Sequence, residues 1–264
     1  MIRITPLYSG SSGNCILVES DGLRVLVDAG NTAKKISEAL GELGLSLCDI
    51  SGIFVTHEHT DHVAGLGVIG RKAKIPVYMN EATWRAVEGM KGAPAESLVR
   101  IFTTGEPVAF HDSLLVESFH TSHDAAESVG YVFSDGVSRA GISTDTGVMT
   151  REAMEKLAGC GGVLIEANHD VDMLRTGSYP PVLKQRILSE RGHLSNDDCG
   201  AALRELVASG CTRVILGHLS RENNMPLTAL NTVCTLLGES GIKRNADYLI
   251  NVARRDGITD GFEF

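Results

Sequence analysis

Short apolar runs, bounded by glycine, aspartate or asparagine, recur along the first third of the chain. They are rich in β-branched side chains and predict strands at residues 2–7, 15–20, 23–28, 52–55 and 77–79. Helical periodicity separates some of these runs, at residues 32–43 and 81–90. The alternation of strands with helices is typical of an α/β fold.

A second strand-rich block begins near residue 100. Strands are predicted at residues 100–103, 107–110, 114–119, 128–134, 137–143 and 163–166. Helices then dominate, at residues 151–157, 196–209 and 227–240, with one further strand at 213–216. Asn196, Asp197 and Asp198 can cap the second of these helices.

The two blocks share one short pattern. Asp28-Ala29-Gly30 and Asp145-Thr146-Gly147 each follow an extended apolar run. Asp-x-Gly is also a common turn sequence, so chance recurrence stays open as an explanation. The pairing nevertheless favours two similar β-rich halves that face each other, with the strand ends on one rim and a functional site at the junction.

Residues 56–62 read T-H-E-H-T-D-H and follow the strand predicted at 52–55. Histidines on a solvated loop can cluster without function, but strand ends are where α/β proteins present functional groups. In an extended segment His57 and His59 lie on the same side and can bind one metal ion. Asp61 and His62 then suit a second ion, and neither ion is saturated by two protein ligands.

Three further side chains at strand ends can complete such a site. His123 follows the strand at 114–119, Asp145 the strand at 137–143, and His218 the strand at 213–216. One carboxylate can bridge two cations, and a bridged pair lies about 3.5–4 Å apart, as in phosphoester hydrolysis. Each of the three has a structural alternative as a hydrogen-bonded residue, but together with residues 56–62 they favour a two-metal site.

Composition excludes several classes of protein. The chain has 264 residues, of which 43% are hydrophobic, which is enough for one large core; we expect a single domain over residues 1–264. No apolar run approaches the ~20 residues of a membrane span, and residues 1–6 do not resemble a secretion signal. Six scattered cysteines without a C-x-x-C pair indicate a reduced, cytoplasmic protein.

The formal charge of −9 argues against nonspecific coating of nucleic acid. It does not exclude an enzyme acting on nucleic acid, because bound cations and a local basic rim can attract phosphate. Arg175, Lys184, Arg186 and Arg191 form such a rim in sequence. A solvated surface is the equally acceptable interpretation of these four residues.

The motif His57-x-His59-x-Asp61-His62 resembles the H-x-H-x-D-H signature of the metallo-β-lactamase fold. The resemblance implies a four-layer αββα sandwich, with two mixed β-sheets flanked by helices and a dinuclear site on its edge. It implies one ion held by His57, His59, His123 and Asp145, and another held by Asp61, His62, Asp145 and His218. By the same resemblance Asp28 orients the histidine loop through hydrogen bonds.

His193 precedes a predicted helix, and its segment 192–195 is similar to the Gly-His-Ser-Thr segment of RNase Z-type nucleases, where the histidine donates a proton. A structural role at the helix start is the alternative to a general acid. Residues 9–14, 168–170, 192–196 and 217–224 together look most like the YycJ/WalJ group, whose members are associated with 5′-to-3′ exonuclease activity on DNA. The resemblance makes His169, Ser220, Arg221 and Asn224 candidates for substrate contacts or for support of the ligands.

We therefore expect a dinuclear metal-dependent hydrolase of phosphodiester bonds, most like a 5′-to-3′ DNA exonuclease. A hydroxide bridging the ions would attack phosphorus, with Asp61 aiming it and His193 protonating the leaving group. Nucleic acid is the expected partner, DNA rather than RNA. The ligands suit zinc, manganese and iron alike. The alternative is a small-molecule metallohydrolase, which acts on a thioester, as in glyoxalase II, or on a small or cyclic phosphodiester. The sequence does not determine the oligomeric state.

Overall fold

Two seven-stranded β-sheets pack against each other in the computed structural model, which describes residues 1–111 and 113–263. The first sheet contains β1 (Ile2–Tyr8), β2 (Cys15–Ser20), β3 (Leu23–Val27), β4 (Gly52–Phe54), β5 (Val77–Asn80), β6 (Val99–Phe102) and β14 (Phe262–Glu263). The second contains β7 (Val108–Phe110), β8 (Leu114–His120), β9 (Val129–Ser134), β10 (Arg139–Ser143), β11 (Gly162–Glu166), β12 (Arg213–Gly217) and β13 (Leu249–Val252).

Both sheets change from antiparallel to parallel pairing at one strand. In the first sheet β1, β2 and β3 pair antiparallel, and β3 to β6 pair parallel. In the second sheet β7 to β10 pair antiparallel, and β10 to β13 pair parallel. Strands β3 and β10 therefore occupy equivalent places, and ligand sites in α/β sheets form beyond strand ends where topology changes.

Helices cover the outer face of each sheet. Their bounds are α1 (Ala33–Glu42), α2 (Thr60–Val63), α3 (Leu66–Ala73), α4 (Glu81–Val87), α5 (Arg151–Leu157), α6 (Val171–Thr176), α7 (Pro181–Ile187), α8 (Asn196–Ala208) and α9 (Pro226–Glu239). Helices α1, α3 and α4 pack on the first sheet, and α5, α8 and α9 pack on the second. The predicted four-layer αββα sandwich is confirmed. None of the described helices has the length and apolar character needed to cross a membrane.

The central strands are apolar on both faces because both faces are buried. In β2, Ile16 and Val18 lie between the two sheets, whereas Leu17 lies between the first sheet and its helices. Full burial of one such side chain contributes about 1.5–3 kcal/mol. This double burial explains why these strands are continuous apolar runs in the sequence.

Several elements differ from the sequence prediction. Strand β10 begins at Arg139 rather than at 137, because the Asp135 carboxylate accepts hydrogen bonds from the backbone N–H groups of Val137 and Ser138 and forms a turn there. Helix α8 is capped by Ser195 and not by the predicted residues Asn196, Asp197 and Asp198, which lie in its first turn. Helices α2, α6 and α7 and strands β13 and β14 were not predicted.

Candidate metal centre

A cluster of histidines and carboxylates lies where strand ends of the two sheets meet. The first sheet supplies the loop after β4, and the second supplies residues that follow β8, β10 and β12. Within this cluster the structure brings together the predicted ligands His57, His59, Asp61, His62, His123, Asp145 and His218.

Asp28 supports the loop of residues 56–62 through hydrogen bonds and a contact with His62. It is buried directly after β3, and its Oδ1 accepts a hydrogen bond of 2.8 Å from the Thr56 backbone N–H. Its Oδ2 accepts a hydrogen bond of 2.9 Å from the Thr56 hydroxyl and lies 2.7 Å from His62 Nδ1. Burial raises the pKa of Asp28, although His62 and Thr56 both favour the ionised carboxylate. These bonds fix the His62 ring with Nε2 toward Asp145.

The turn after Asp28 packs directly on the loop that it supports. The backbone N–H of Ala29 donates to the His62 carbonyl at 2.8 Å, and that of Asn14 donates to the Asp61 carbonyl at 2.8 Å. A Cβ atom on Gly30 would lie 1.6 Å from the Asp61 carbonyl oxygen, so only glycine allows this approach.

Three histidines form one group of potential ligand atoms. Donor atoms of His57, His59 and His123 all lie within 4.8 Å of one another, with His59 Nδ1 and His123 Nε2 at 3.3 Å. Burial lowers the pKa of His57 and of His123, which favours neutral imidazoles with free lone pairs. The Nε2 atom of His57 is buried and has no hydrogen-bond partner among the described residues.

Asp145 lies between this group and a second set of side chains. Its Oδ1 is 3.3 Å from His218 Nε2, and its Oδ2 is 3.3 Å from His62 Nε2. His123 Nε2 lies 3.8 Å from Oδ1. Burial opposes ionisation, but His218 and His62 hold the pKa of Asp145 well below its usual range. The carboxylate therefore contacts histidines from both sheets.

The donor set fits divalent metal ions. Buried polar atoms without partners cost about 1–3 kcal/mol each, yet His57 Nε2 and Asp145 Oδ2 are both left without a hydrogen bond among the described residues. Imidazole nitrogens and carboxylate oxygens at this density are typical of zinc, manganese or iron sites. Asp61 is more peripheral, with Oδ2 3.7 Å from His62 Nε2 and its side chain 26% exposed.

Asn14 joins the two sides of the cluster and was missed as a support residue. Its side-chain nitrogen lies 3.0 Å from His62 Nε2, and its side-chain oxygen lies 3.2 Å from His218 Nδ1. The backbone N–H of His218 also donates to the Ser9 hydroxyl at 2.8 Å. In the sequence, the polar residues of segment 9–14 directly precede a predicted strand, and this was the signal that could have identified Asn14.

Glu166 is the other important residue that the sequence did not identify. It is fully buried at the end of β11, and its Oε1 lies 2.8 Å from His193 Nδ1. Although burial works in the opposite direction, Glu166 raises the pKa of His193 to about 9. His193 Nδ1 is also 3.8 Å from Asp145 Oδ1, which places this imidazole beside the candidate ligands.

The remaining predicted residues lie at different distances from the cluster. His169 is buried outside the cavity, neither ring nitrogen has a hydrogen-bond partner among the described residues, and burial lowers its pKa to about 4. Asn224 is buried and donates to the carbonyl of Ala167 at 2.9 Å, so it supports the loop after β11. Ser220 lines the cavity above the cluster, and Arg221 is exposed.

A cavity of about 270 Å³ opens above the cluster. One wall consists of His59, Asp61, His123, Asp145, His193 and His218, and another consists of Tyr179, Leu183, Arg186 and Ile187. Arg186 Nη2 donates to Asp124 Oδ1 at 2.9 Å, and despite burial this partner lowers the pKa of Asp124. The second wall is therefore apolar and aromatic, with one cation.

Three of the four basic residues predicted as a rim, Lys184, Arg186 and Arg191, make different contacts through their side chains. Arg186 lines the cavity. Arg191 Nη2 donates to the backbone carbonyl of His123 at 3.1 Å, next to a candidate ligand. Lys184 donates to the carbonyl of Arg175 at 2.8 Å. Arg175, Arg186 and Arg191 are exposed, so the basic rim and the solvated surface both stay predictions, and Arg186 is the one of the four that lines the cavity.

Comparison with known proteins shows which family the chain resembles. Residues 8–218 match the model of the metallo-beta-lactamase superfamily. The chain is 40% identical over 240 residues to Exodeoxyribonuclease YycJ of Bacillus anthracis, covering 91% of this chain and 90% of that one. It is 40% identical over 255 residues to Exodeoxyribonuclease WalJ of Streptococcus pneumoniae, covering 96% and 94%.

Solved structures share the fold at much lower identity. The metallo-beta-lactamase fold protein YhfI of Bacillus subtilis superposes with a TM-score of 0.73 at 16% identity, covering 98% of both chains. A similarity at this level of identity establishes the fold alone, so the reaction has to be argued from the residues of the cluster.

Proposed function

Because the chain belongs to the metallo-β-lactamase superfamily, we propose that it is a metal-dependent phosphodiesterase that removes nucleotides from the end of DNA, in the 5′-to-3′ direction. The observation that carries the proposal is the position of His193, whose Nδ1 lies 2.8 Å from Glu166 Oε1 and 3.8 Å from Asp145 Oδ1, beside the ligand cluster. The relatives that match nearly the full chain at 40% identity are named exodeoxyribonucleases, which supports DNA as the substrate.

Two divalent ions, zinc or else manganese or iron, form the proposed cofactor. One ion would be held by His57, His59 and His123, and the other would be held by Asp61, His62 and His218. Asp145 would bind both ions. When bound, such ions acidify water and neutralise the charge of a phosphodiester. The chain's own contribution is to fix the ligand geometry, through the bonds from Asp28 to Thr56 and His62.

His193 supplies the proton for the leaving oxygen. Its ring is only 14% exposed, and the Glu166 carboxylate keeps it protonated at neutral pH. Glu166 is anchored in turn, because its Oε2 accepts the backbone N–H of Thr146 at 2.9 Å. General-acid catalysis of this kind contributes about 10²- to 10⁴-fold in rate. After proton transfer, the neutral ring recovers a proton from solvent at the cavity.

The cavity wall supports a nucleic-acid substrate over a thioester. Arg186 places a positive charge across the cavity from the carboxylates of Asp61 and Asp145, where a phosphodiester would lie. Both sheets contribute to this one cavity, so we include in the proposal that residues 1–264 act as one hydrolase domain.

The test is an end-labelled nuclease assay with manganese or zinc. Single- and double-stranded DNA, the same sequences as RNA, bis(p-nitrophenyl) phosphate and a glutathione thioester are compared. We expect DNA to be shortened stepwise from its 5′ end, with RNA cleaved more slowly and the thioester left intact. Hydrolysis of the thioester alone would overturn the proposal and leave the small-molecule metallohydrolase as the function.

A further inference from the structure

Tyr179 differs from the other tyrosines of the chain. The hydroxyl groups of Tyr8, Tyr131 and Tyr248 each donate a hydrogen bond to a protein acceptor, and the ring of Tyr78 stacks on a phenylalanine with centroids 4.7 Å apart. Within residues 1–111 and 113–263, Tyr179 has neither a hydrogen-bond partner nor an aromatic neighbour. Its half-buried ring instead lines the cavity above the metal centre.

The backbone around Tyr179 is rigidly held. Pro180 and Pro181 follow it, which restricts Tyr179 to extended conformations and fixes the start of α7. Lys184 Nζ then reaches back from α7 and donates to the carbonyl of Gly177 at 2.6 Å, which closes the segment on itself. A side chain on such a segment loses little conformational freedom when it binds a ligand.

Helix α7 is also fixed across the mouth of the cavity. Arg186 bonds to Asp124, which lies beside the ligand histidine His123. Leu183 and Ile187 continue the wall that begins at Tyr179. Apart from Arg186, this wall consists of one aromatic ring and two aliphatic side chains, which suit a base, whereas the facing wall of histidines and carboxylates suits a phosphate once metal ions are bound.

We propose that Tyr179 stacks on the base of the terminal nucleotide while its phosphodiester lies at the metal centre. This inference rests on the proposed function and names the recognition element within it. Stacking on an aromatic ring tolerates every base, which suits an enzyme that removes nucleotides in succession. The cavity of about 270 Å³ lies just below the range of small-ligand pockets, roughly 300–1,000 Å³, so it has room for no more than one nucleotide unit at a time.

The experiment measures kcat and KM on two oligonucleotides that differ only at the degraded end, with a normal or an abasic terminal nucleotide. For Tyr179→Ala we expect kcat/KM on normal DNA to fall about tenfold, within the range of base–aromatic stacking, mainly through KM. On the abasic substrate the variant and the parent should be equal, because no base is present to stack. Tyr179→Phe, which keeps the ring, should restore most of the lost activity.

Val182→Ala is the matched control. Val182 lies on the same segment, is 78% exposed and does not line the cavity, so its variant should degrade both substrates like the parent. Equal losses on normal and abasic DNA in Tyr179→Ala, or no loss on either, would overturn the stacking role while the nuclease function stands. Failure of the parent protein to degrade either oligonucleotide would instead refute the proposed function.

Discussion

The turns at Asp28 and Asp145 occupy equivalent places in the two sheets. Each follows the strand at which pairing changes from antiparallel to parallel, β3 in one sheet and β10 in the other. Each aspartate has a left-handed backbone, with φ of 63° at Asp28 and 55° at Asp145. Each turn needs its glycine, because a Cβ on Gly30 or Gly147 would lie within 2.3 Å of a backbone oxygen.

The two carboxylates nevertheless have opposite surroundings. Asp28 accepts hydrogen bonds from Thr56 and contacts His62, and burial raises its pKa. Asp145 contacts His62 and His218, which lower its pKa, and its Oδ2 has no hydrogen-bond partner among the described residues. The two turns thus share one geometry but differ in role, since Asp28 supports the loop of ligands and Asp145 is itself a candidate ligand. The groups that surround each carboxylate account for this difference.

Of the substitutions that test this difference, Asp145→Asn should have the largest effect on metal binding and activity. The amide keeps the shape but removes the charge that faces histidines of both sheets, so we expect loss of bound metal and of detectable DNA hydrolysis. The loss should far exceed the roughly 10–100-fold cost of altering a group that only orients ligands. Metal content by mass spectrometry and activity on labelled DNA measure it. Retention of both metal equivalents would show that Asp145 is not a ligand.

His193→Ala should separate proton donation from metal binding. We expect DNA hydrolysis to fall about 10²- to 10⁴-fold while the metal content is unchanged, since this residue is assigned to the proton and not to an ion. Steady-state rates and metal analysis on the same preparation test this. Loss of one metal equivalent would instead make His193 a ligand.

Asp28→Asn should have an intermediate effect, because it disturbs the support without removing a ligand. We expect metal affinity or activity to fall roughly 10–100-fold. Metal titration measures the affinity. Thr56→Ser is the matched control, since serine keeps the hydroxyl that donates to Asp28. If the Asp28 variant lost metal as completely as the Asp145 variant, the two turns would not differ in role.

Glu166→Gln should have the smallest effect and one that depends on pH. The carboxylate raises the pKa of His193 to about 9, so the protonated ring is present below that value and is lost as the pH rises through it. Without the charge, burial lowers the pKa of the ring, so activity should drop by roughly tenfold or more at pH 8 and by a smaller factor at pH 6. A pH–rate profile measures the shift; an unchanged alkaline limb would remove His193 as the acid.

The sequence revealed the first half of the centre more fully than the second. His57, His59, Asp61 and His62 are contiguous, so they are recognisable before any fold is known. His123, Asp145 and His218 were found only as polar residues at the ends of predicted strands. Their division between two ions depended on a family resemblance, because those residues meet only when separate strands align. Their roles as ligands stay predictions, although the structure brings them together.

Glu166 and the cavity wall could not be predicted for different physical reasons. Glu166 completes an apolar strand, and nothing local shows that its carboxylate meets a histidine 27 positions later. Helices α6 and α7 are short and lie in a polar segment that contains Pro180 and Pro181, so they lack a clear helical period. Their place over the cavity arises from tertiary contacts such as the one from Arg186 to Asp124.

The left-handed backbone at His218, with φ of 54°, has a consequence for protein engineering. For a residue with a Cβ this conformation costs about 1–2 kcal/mol, whereas glycine adopts it freely. A glycine at position 218 would relieve that cost in the metal-free protein but delete a candidate ligand. The same substitution would also remove the contacts of the buried ring with Asp145 and Asn14. Thermal tolerance therefore does not report on the centre, and any stabilisation campaign on this scaffold requires nuclease turnover as a second selected trait.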